Sequence, residues 1–486
     1  MTKRVLATSV VAVVLLATGT AGAQSQTPPT PTDSPQWLKD RRYGEGIGIR
    51  AGDLELHPGV AGEAGYDSNW FLRTNKTGAA IGNGPPGAPV IPALAFRITP
   101  SLSLSTLGSQ RREGDLVSAP PSIAFRAGLS ATYRAMVGLS SDASQPQNDP
   151  SRSNNASGAA DARLTILPER PFGGSIYGTF VRTIQPNTAS ASPDVSFNRD
   201  DVGAGADIAI QPGGGTLDWR LGYEFHDTLF ESSSGIPYDN VTHQALTSGR
   251  WRFRPRTSLV ADASLRFNVF TNESQIFQDA ALVNSTPVRV RFGLNGLVTE
   301  RFTLLALAGW GASFLDTSRV SFRQYDSVIG QAELKWFLAA SPGVARATEV
   351  GLALSSIAVG YTRDFAPSYL SNFYGLDRGY LKFSYFFAGR ALATLEGGVG
   401  ALEYPTLLNP AGDVRHASFT DVRADATFFT EYRFIDSLAI NATVKYTQNI
   451  SDQLIPPIGT NPNTAGSFYA MAYQRFEAYL GLRWFM

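Results

Sequence analysis

The stretch from Tyr473 to Met486, YQRFEAYLGLRWFM, constrains the fold most tightly. Taken from its end, Met486, Trp484, Leu482, Leu480, Ala478 and Phe476 form an apolar set. Phe485, Arg483, Gly481, Tyr479, Glu477 and Arg475 form a largely polar one. A period of two is that of a β-strand with one apolar face and one wet face. Such a strand at the end of a chain is habitual in a membrane barrel and rare in a soluble sandwich.

The same alternation recurs along the chain. Leu54, Leu56, Val60 and Ala64 alternate with Glu55, His57 and Glu63, and Leu94, Phe96, Ile98 and Leu102 with Arg97, Thr99 and Ser103. Trp251 and Phe253 oppose Arg250, Arg252 and Arg254. Leu265 and Phe267 oppose Asp262 and Arg266; Val290 and Phe292 oppose Arg289 and Arg291. Val422, Ala424 and Phe428 oppose Asp421, Arg423, Asp425 and Glu431. The segment Gly174 to Ile184 is a predicted strand with no assignable outward parity. Leu352 to Tyr361 changes parity near Ser355-Ser356, which predicts a bulge. The pattern predicts an all-β chain: a transmembrane antiparallel up-and-down β-barrel of about 18 strands, an even number. Its polar face lines a lumen. Arg250, Arg252, Arg254, Arg266, Arg289 and Arg291 are expected on one wall, and Asp421, Asp425 and Glu431 roughly opposite.

The connections alternate too. Tight turns at 167–170, 211–215, 254–256, 299–301, 387–390 and 433–436 alternate with longer Ser/Asn/Pro/Gly loops, among them 67–92, 140–157, 185–200 and 449–466. Short turns at one end and long loops at the other are the arrangement of outer-membrane barrels. Trp219, Trp251, Trp336 and Trp484 all fall at the short-turn ends of their strands, where a membrane girdle belongs.

The N-terminus reads as a secretory signal over residues 1–23. Lys3 and Arg4 precede an apolar core from Val5 to Ala17 and the small-residue site Ala21-Gly22-Ala23. Residues 24–52 are expected to be a flexible periplasmic segment, with Trp37 to Arg50 either a short helix or a plug near the pore mouth. The barrel follows over 53–486, which puts both termini in the periplasm of a Gram-negative cell. The absence of cysteine suits that route, and no apolar run is long enough for a membrane helix.

No catalytic constellation emerges, so no enzyme is expected. His57 between Glu55 and Glu63, and His226 before Asp227, could serve as bases in a barrel hydrolase. They read better as ordinary lumen or loop histidines. No histidine pair has metal-ligand spacing, no cofactor motif is present, and no nucleic-acid signature is found.

The terminal strand resembles the closing strand of bacterial barrels, with Met486 where Phe is usual. Gly52 to Val60 followed by Gly65-Tyr66-Asp67-Ser68-Asn69 resembles the first strand of the β-barrel porin 2 family. Val359 to Phe365 with Tyr369-Leu370 and Asn372-Phe373-Tyr374 is similar to myxobacterial members. The resemblance implies an aqueous conduit in exopolysaccharide export, with a general diffusion porin as one alternative. A scaffold barrel in an envelope-spanning complex such as gliding machinery is another. The partners it implies are outer-membrane lipid, the barrel assembly machinery, periplasmic polysaccharide-export proteins and an anionic polymer.

Overall fold

Alternating polar and apolar residues pair into one antiparallel sheet that closes on itself. The computed structural model describes residues 35–40, 46–74, 90–106, 122–140, 149–168, 170–184, 198–232, 236–340, 354–387, 390–455 and 469–486. The predicted signal and most of the segment after it lie outside these residues, as do parts of the loops. The wall strands are β1 Leu54–Asp67, β2 Ala93–Thr106, β3 Ile123–Gly138, β4 Asn155–Ile166, β5 Phe172–Thr183 and β6 Arg199–Ile210. They continue as β7 Leu217–Phe230, β8 Asn240–Arg254, β9 Thr257–Phe270, β10 Ser285–Leu297, β11 Phe302–Leu315 and β12 Tyr325–Phe337. The last six are β13 Ser356–Ser368, β14 Asn372–Phe387, β15 Ala391–Tyr404, β16 Phe419–Ile435, β17 Leu438–Ile450 and β18 Tyr473–Phe485. The sheet counts 19 strands. The three-residue strand Ile49–Ala51 is an extra edge on β1, so eighteen form the wall.

Each strand pairs antiparallel with its neighbours in sequence, and β1 closes on β18 from Gly59↔Phe485 to Asp67↔Glu477. No long free edge remains among the barrel strands, which is the reason for closure. With about 4.8 Å between strands and a tilt near 40°, eighteen strands enclose a backbone cylinder of roughly 18 Å radius.

The faces sort as the alternation requires. Val60, Phe96, Ile98, Leu129, Phe292, Val359, Leu480 and Leu482 are outward and exposed. Glu63, Arg97, Thr99, Arg134, Asp161, Asp421, Asn441 and Arg483 are inward and buried. β5, whose parity the sequence left open, turns Ile176 and Phe180 out and Ser175, Tyr177 and Val181 in. Pro100 lacks a donor, and the β2–β3 ladder skips it and Thr99. A Thr99–Thr132 hydroxyl contact of 3.0 Å fills that place.

Three local expectations change. There is no bulge at Ser355-Ser356: β13 begins at Ser356 and pairs with Phe337 and Ser384 in unbroken register. The parity change marks the strand's start, where Ser355 O accepts from Leu338 N and its Oγ accepts from Phe386 N. Leu352 lies outside the described residues. The end with tight turns also carries two long connections, 107–122 and 338–355. Conversely, the long-loop end carries one very short connection, Tyr369-Leu370-Ser371, between β13 and β14.

Candidate functional site

The inner wall is built from paired charges. Arg250 reaches Asp218 at 3.3 Å, Arg291 reaches Asp262 at 3.0 Å and Arg289 reaches Asp364 at 2.9 Å. Arg266 donates to the Gln244 amide oxygen at 2.6 and 3.0 Å. Across the lumen Asp425 holds Arg378 at 2.7 Å, and Asp421 accepts from Asn449 at 2.9 Å. Glu431 lies between Arg483 at 2.7 Å and Arg433 at 3.3 Å. Arg250, Arg289, Arg291, Asp425 and Glu431 are thus matched by opposite charge, whereas Arg266 and Asp421 meet neutral amides. Arg252 and Arg254 differ: they lie exposed at the short-turn rim, where Arg254 sits 6.0 Å from the Phe253 ring. Sequence parity put all nine residues on one face of their strands. It carried no signal for the partners, which come from strand register.

The lumen is lopsided. Glu431, Asn441, Thr443 and Arg483 are at most 2% exposed, whereas the side chains of Lys382 and Glu396 are 45% and 44% exposed. Water therefore reaches the wall near β14 and β15 and is excluded around Glu431, Asn441, Thr443 and Arg483.

The short-turn mouth is occupied. Helix α1, Gln36–Asp40, lies inside the rim with Trp37 and Leu38 buried. They pack on inward Ala61, Leu392 and Phe429, with Phe386 beside them. Arg483 stacks 4.9 Å from the Trp37 ring. Within the segment Trp37 to Arg50, the helix accounts for its start, residues 41–45 lie outside the described ones, and the strand Ile49–Ala51 follows. Gly46, Gly48 and Gly52 turn the following chain with φ of 85°, 72° and 63°, a region costly for other residues.

The long-loop mouth is crossed by the β13–β14 hairpin. The β12–β13 ladder stops at Gly330↔Arg363, while β13–β14 continues to Ser368↔Asn372. β13 parts from β12 beyond Arg363, β14 stays on β15 as far as Gly375↔Glu403, and past that pair the hairpin leans inward. Phe365 stacks on Tyr325 at 4.4 Å and covers β11, where a Cβ on Gly311 would lie 2.9 Å from its ring. Arg289 on β10 bonds Asp364 and the Phe365 carbonyl. The tip reaches further: Tyr369 meets Phe230 at 5.5 Å and Tyr238 at 5.6 Å, both edge-on. Leu370 and Tyr374 pack on the opposite cluster of Leu402, Tyr404, Leu407, Phe419 and Ile455. Burial raises the Tyr369 hydroxyl above the ordinary tyrosine range, so it stays neutral. Helix α2, Glu273–Ala280, adds Phe277 and Ile276 to the same cover.

The remaining sequence candidates find structural places. Asp67-Ser68-Asn69 extends the closing seam: Asp67 pairs with Arg475 at 2.5 Å, Ser68 exchanges two bonds with Phe476, and Asn69 donates to Gln474 O at 2.8 Å. Trp70 turns into the lumen beneath Arg134, 4.4 Å from its ring. His57 lies 3.5 Å from Glu55, while Glu63 pairs with Arg97 instead. His226 faces Glu224 at 3.4 Å. Trp219, Trp251, Trp336 and Trp484 are outward at the short-turn end, with Trp336 stacked on Phe302 at 6.2 Å.

No family model matches the chain, that of the β-barrel porin 2 family included, and no curated protein matches it. The fold is similar to solved outer-membrane barrels. Acinetobacter baumannii OccAB4 is 12% identical with a TM-score of 0.41, over 89% of this chain and 98% of that one. Pseudomonas aeruginosa OpdL is 11% identical with a TM-score of 0.42, over 90% and 99%. A mutant of the Pseudomonas aeruginosa ferric enterobactin receptor is 11% identical with a TM-score of 0.41, over 89% and 80%.

Proposed function

We propose that the chain is an outer-membrane β-barrel that serves as an aqueous conduit. The observation that carries this is the division of one wall into an exposed apolar outside and an ion-paired inside. So much exposed apolar surface needs lipid around it, and in lipid a closed barrel satisfies its backbone groups. The outward tryptophans at the short-turn end suit an interfacial belt. A polar lumen of this width suits a polar guest.

The finer reading is export of an anionic polysaccharide, handed on by periplasmic export proteins. It rests on the family resemblance and on Arg252 and Arg254, whose planar cations suit carboxylate or phosphate groups at the rim. Purified protein in a planar bilayer should give stepwise ohmic conductance. Arg252→Glu with Arg254→Glu should then shift the reversal potential towards cations. Unchanged selectivity would remove the anionic guest, and silence from every variant would remove the conduit. A second reading, a scaffold barrel without transport, is favoured by the covers at both mouths. It expects that silence, together with co-purifying envelope proteins.

A further inference from the structure

We propose that the β13–β14 hairpin is the limiting constriction of this conduit, and that it opens by lifting its tip away from Phe230 and Tyr238. The inference rests on the conduit reading and adds the residues that decide what passes.

Four observations support it. First, the hairpin leaves the wall in two steps, β13 at Arg363 and β14 at Gly375. The ladder with β12 ends at Gly330↔Arg363 and that with β15 at Gly375↔Glu403, so the tip beyond Phe365↔Gly375 can swing without breaking another ladder pair to the wall. Arg363 caps the exposed β12 edge, donating to Val328 O at 3.2 Å. Second, the tip spans the mouth. β7 and β13 are six strands apart, and in a circular barrel of this size their walls stand about 30 Å from each other. Tyr369 nevertheless touches Phe230 and Tyr238, while Leu370 belongs to the cluster on the other side. A guest moving along the axis has to displace this tip.

Third, past Gly375 the contacts that hold the tip down among the described residues run through side chains. Arg289 binds Asp364, Asn372 Oδ1 accepts from Val283 N at 2.9 Å, and rings meet edge to face. Such contacts break singly, unlike a strand ladder. Fourth, the wall beneath is shaped for the hairpin. Gly311 leaves the space that the Phe365 ring and Ile329 fill, a Cβ there lying 2.9 Å from each, so a large ring at this position would crowd the hairpin.

The test uses full-length protein. The chain has no cysteine, so an introduced thiol is unique. Glu396→Cys places one on the wet wall below the hairpin. In detergent-solubilised protein a bulky maleimide should label it slowly. Adding Tyr369→Ala and Leu370→Ala should raise that rate about tenfold, because lost closed-state contacts shift the open population by that factor. Gly311→Phe should do the same by crowding, with heat-modifiability reporting that the barrel has folded. In planar bilayers the Tyr369→Ala, Leu370→Ala protein should pass larger polyethylene glycols and conduct at least about twice as well, for the same reason. Equal labelling rates in all folded variants would overturn the constriction. Silence of every variant in the bilayer would overturn the conduit alone, because labelling still reports on the hairpin. Equal labelling with unchanged conductance would overturn the constriction and leave the conduit standing.

Discussion

Arg483 shows how the wall carries its charges. Its guanidinium is buried, 2.7 Å from Glu431, and stacked on Phe485 at 4.4 Å and Trp37 at 4.9 Å. Truncating one partner of a buried pair leaves the other uncompensated. Arg483→Ala should therefore cost about 3 kcal/mol, read from urea unfolding in micelles. Arg483→Lys should cost less, since the charge survives and only the flat stacking is lost. A loss below about 1 kcal/mol in the alanine variant would mean that Arg433 takes over Glu431. The sequence reveals that Arg483 faces away from Trp484 and Leu482. It does not reveal Glu431 or Trp37, because those neighbours depend on the registers of β16 on β17 and β17 on β18, and on where the N-terminal helix docks. Arg289 is the same case: its inward face is legible, but its partner Asp364 belongs to a hairpin that leaves the wall.

Among the elements, the closing strand β18 was the most legible. Its alternation names the outward set from Phe476 to Trp484, and all of its large members are exposed. It pairs with β17 over Leu438↔Trp484 to Asn449↔Tyr473, but with β1 over a shorter run, supplemented by Asp67, Ser68 and Asn69. Removing Trp484 to Met486 should lower the yield of heat-modifiable barrel, because the Gly59 and Val60 pairings go with them. Normal assembly of the truncated chain would show that the seam is held by the Asp67 end alone. Asp67→Ala should separate these ends, loosening the long-loop side of the seam while leaving Gly59↔Phe485 in place. The β13–β14 hairpin was the least legible. Local alternation predicts two ordinary strands, and nothing in it states that β12 stops pairing at Gly330. The signal was the three-residue connection itself, too short for an end populated by long loops.

For the whole molecule, strand direction places Leu54 and Phe485 at the same short-turn end, so both barrel termini share a side. If that side is periplasmic, a protease site inserted after Ser140 should be cut on intact cells and one at Arg254-Pro255 should not. The reverse pattern would invert the barrel. The break in the β12–β13 ladder has a separate consequence for the surrounding lipid. Unpaired backbone groups cannot face hydrocarbon, so the acyl chains must end below Gly330. Outward Arg363 and Asp377, paired at 2.6 Å, mark the same height. From Ile357 to Arg363 the wall rises only about 15 Å, against a usual apolar band of about 25 Å. On β3, outward apolar residues run from Ile123 to Val137, about 35 Å. The bilayer should therefore be pinched beside β12 to β14 and full-thickness beside β3. Arg363→Leu with Asp377→Leu should relax that pinch and move the protein's preference towards longer-chain lipids. Its measure is the folding yield across vesicles of increasing acyl length. An unshifted optimum would mean that the lipid follows the opposite wall.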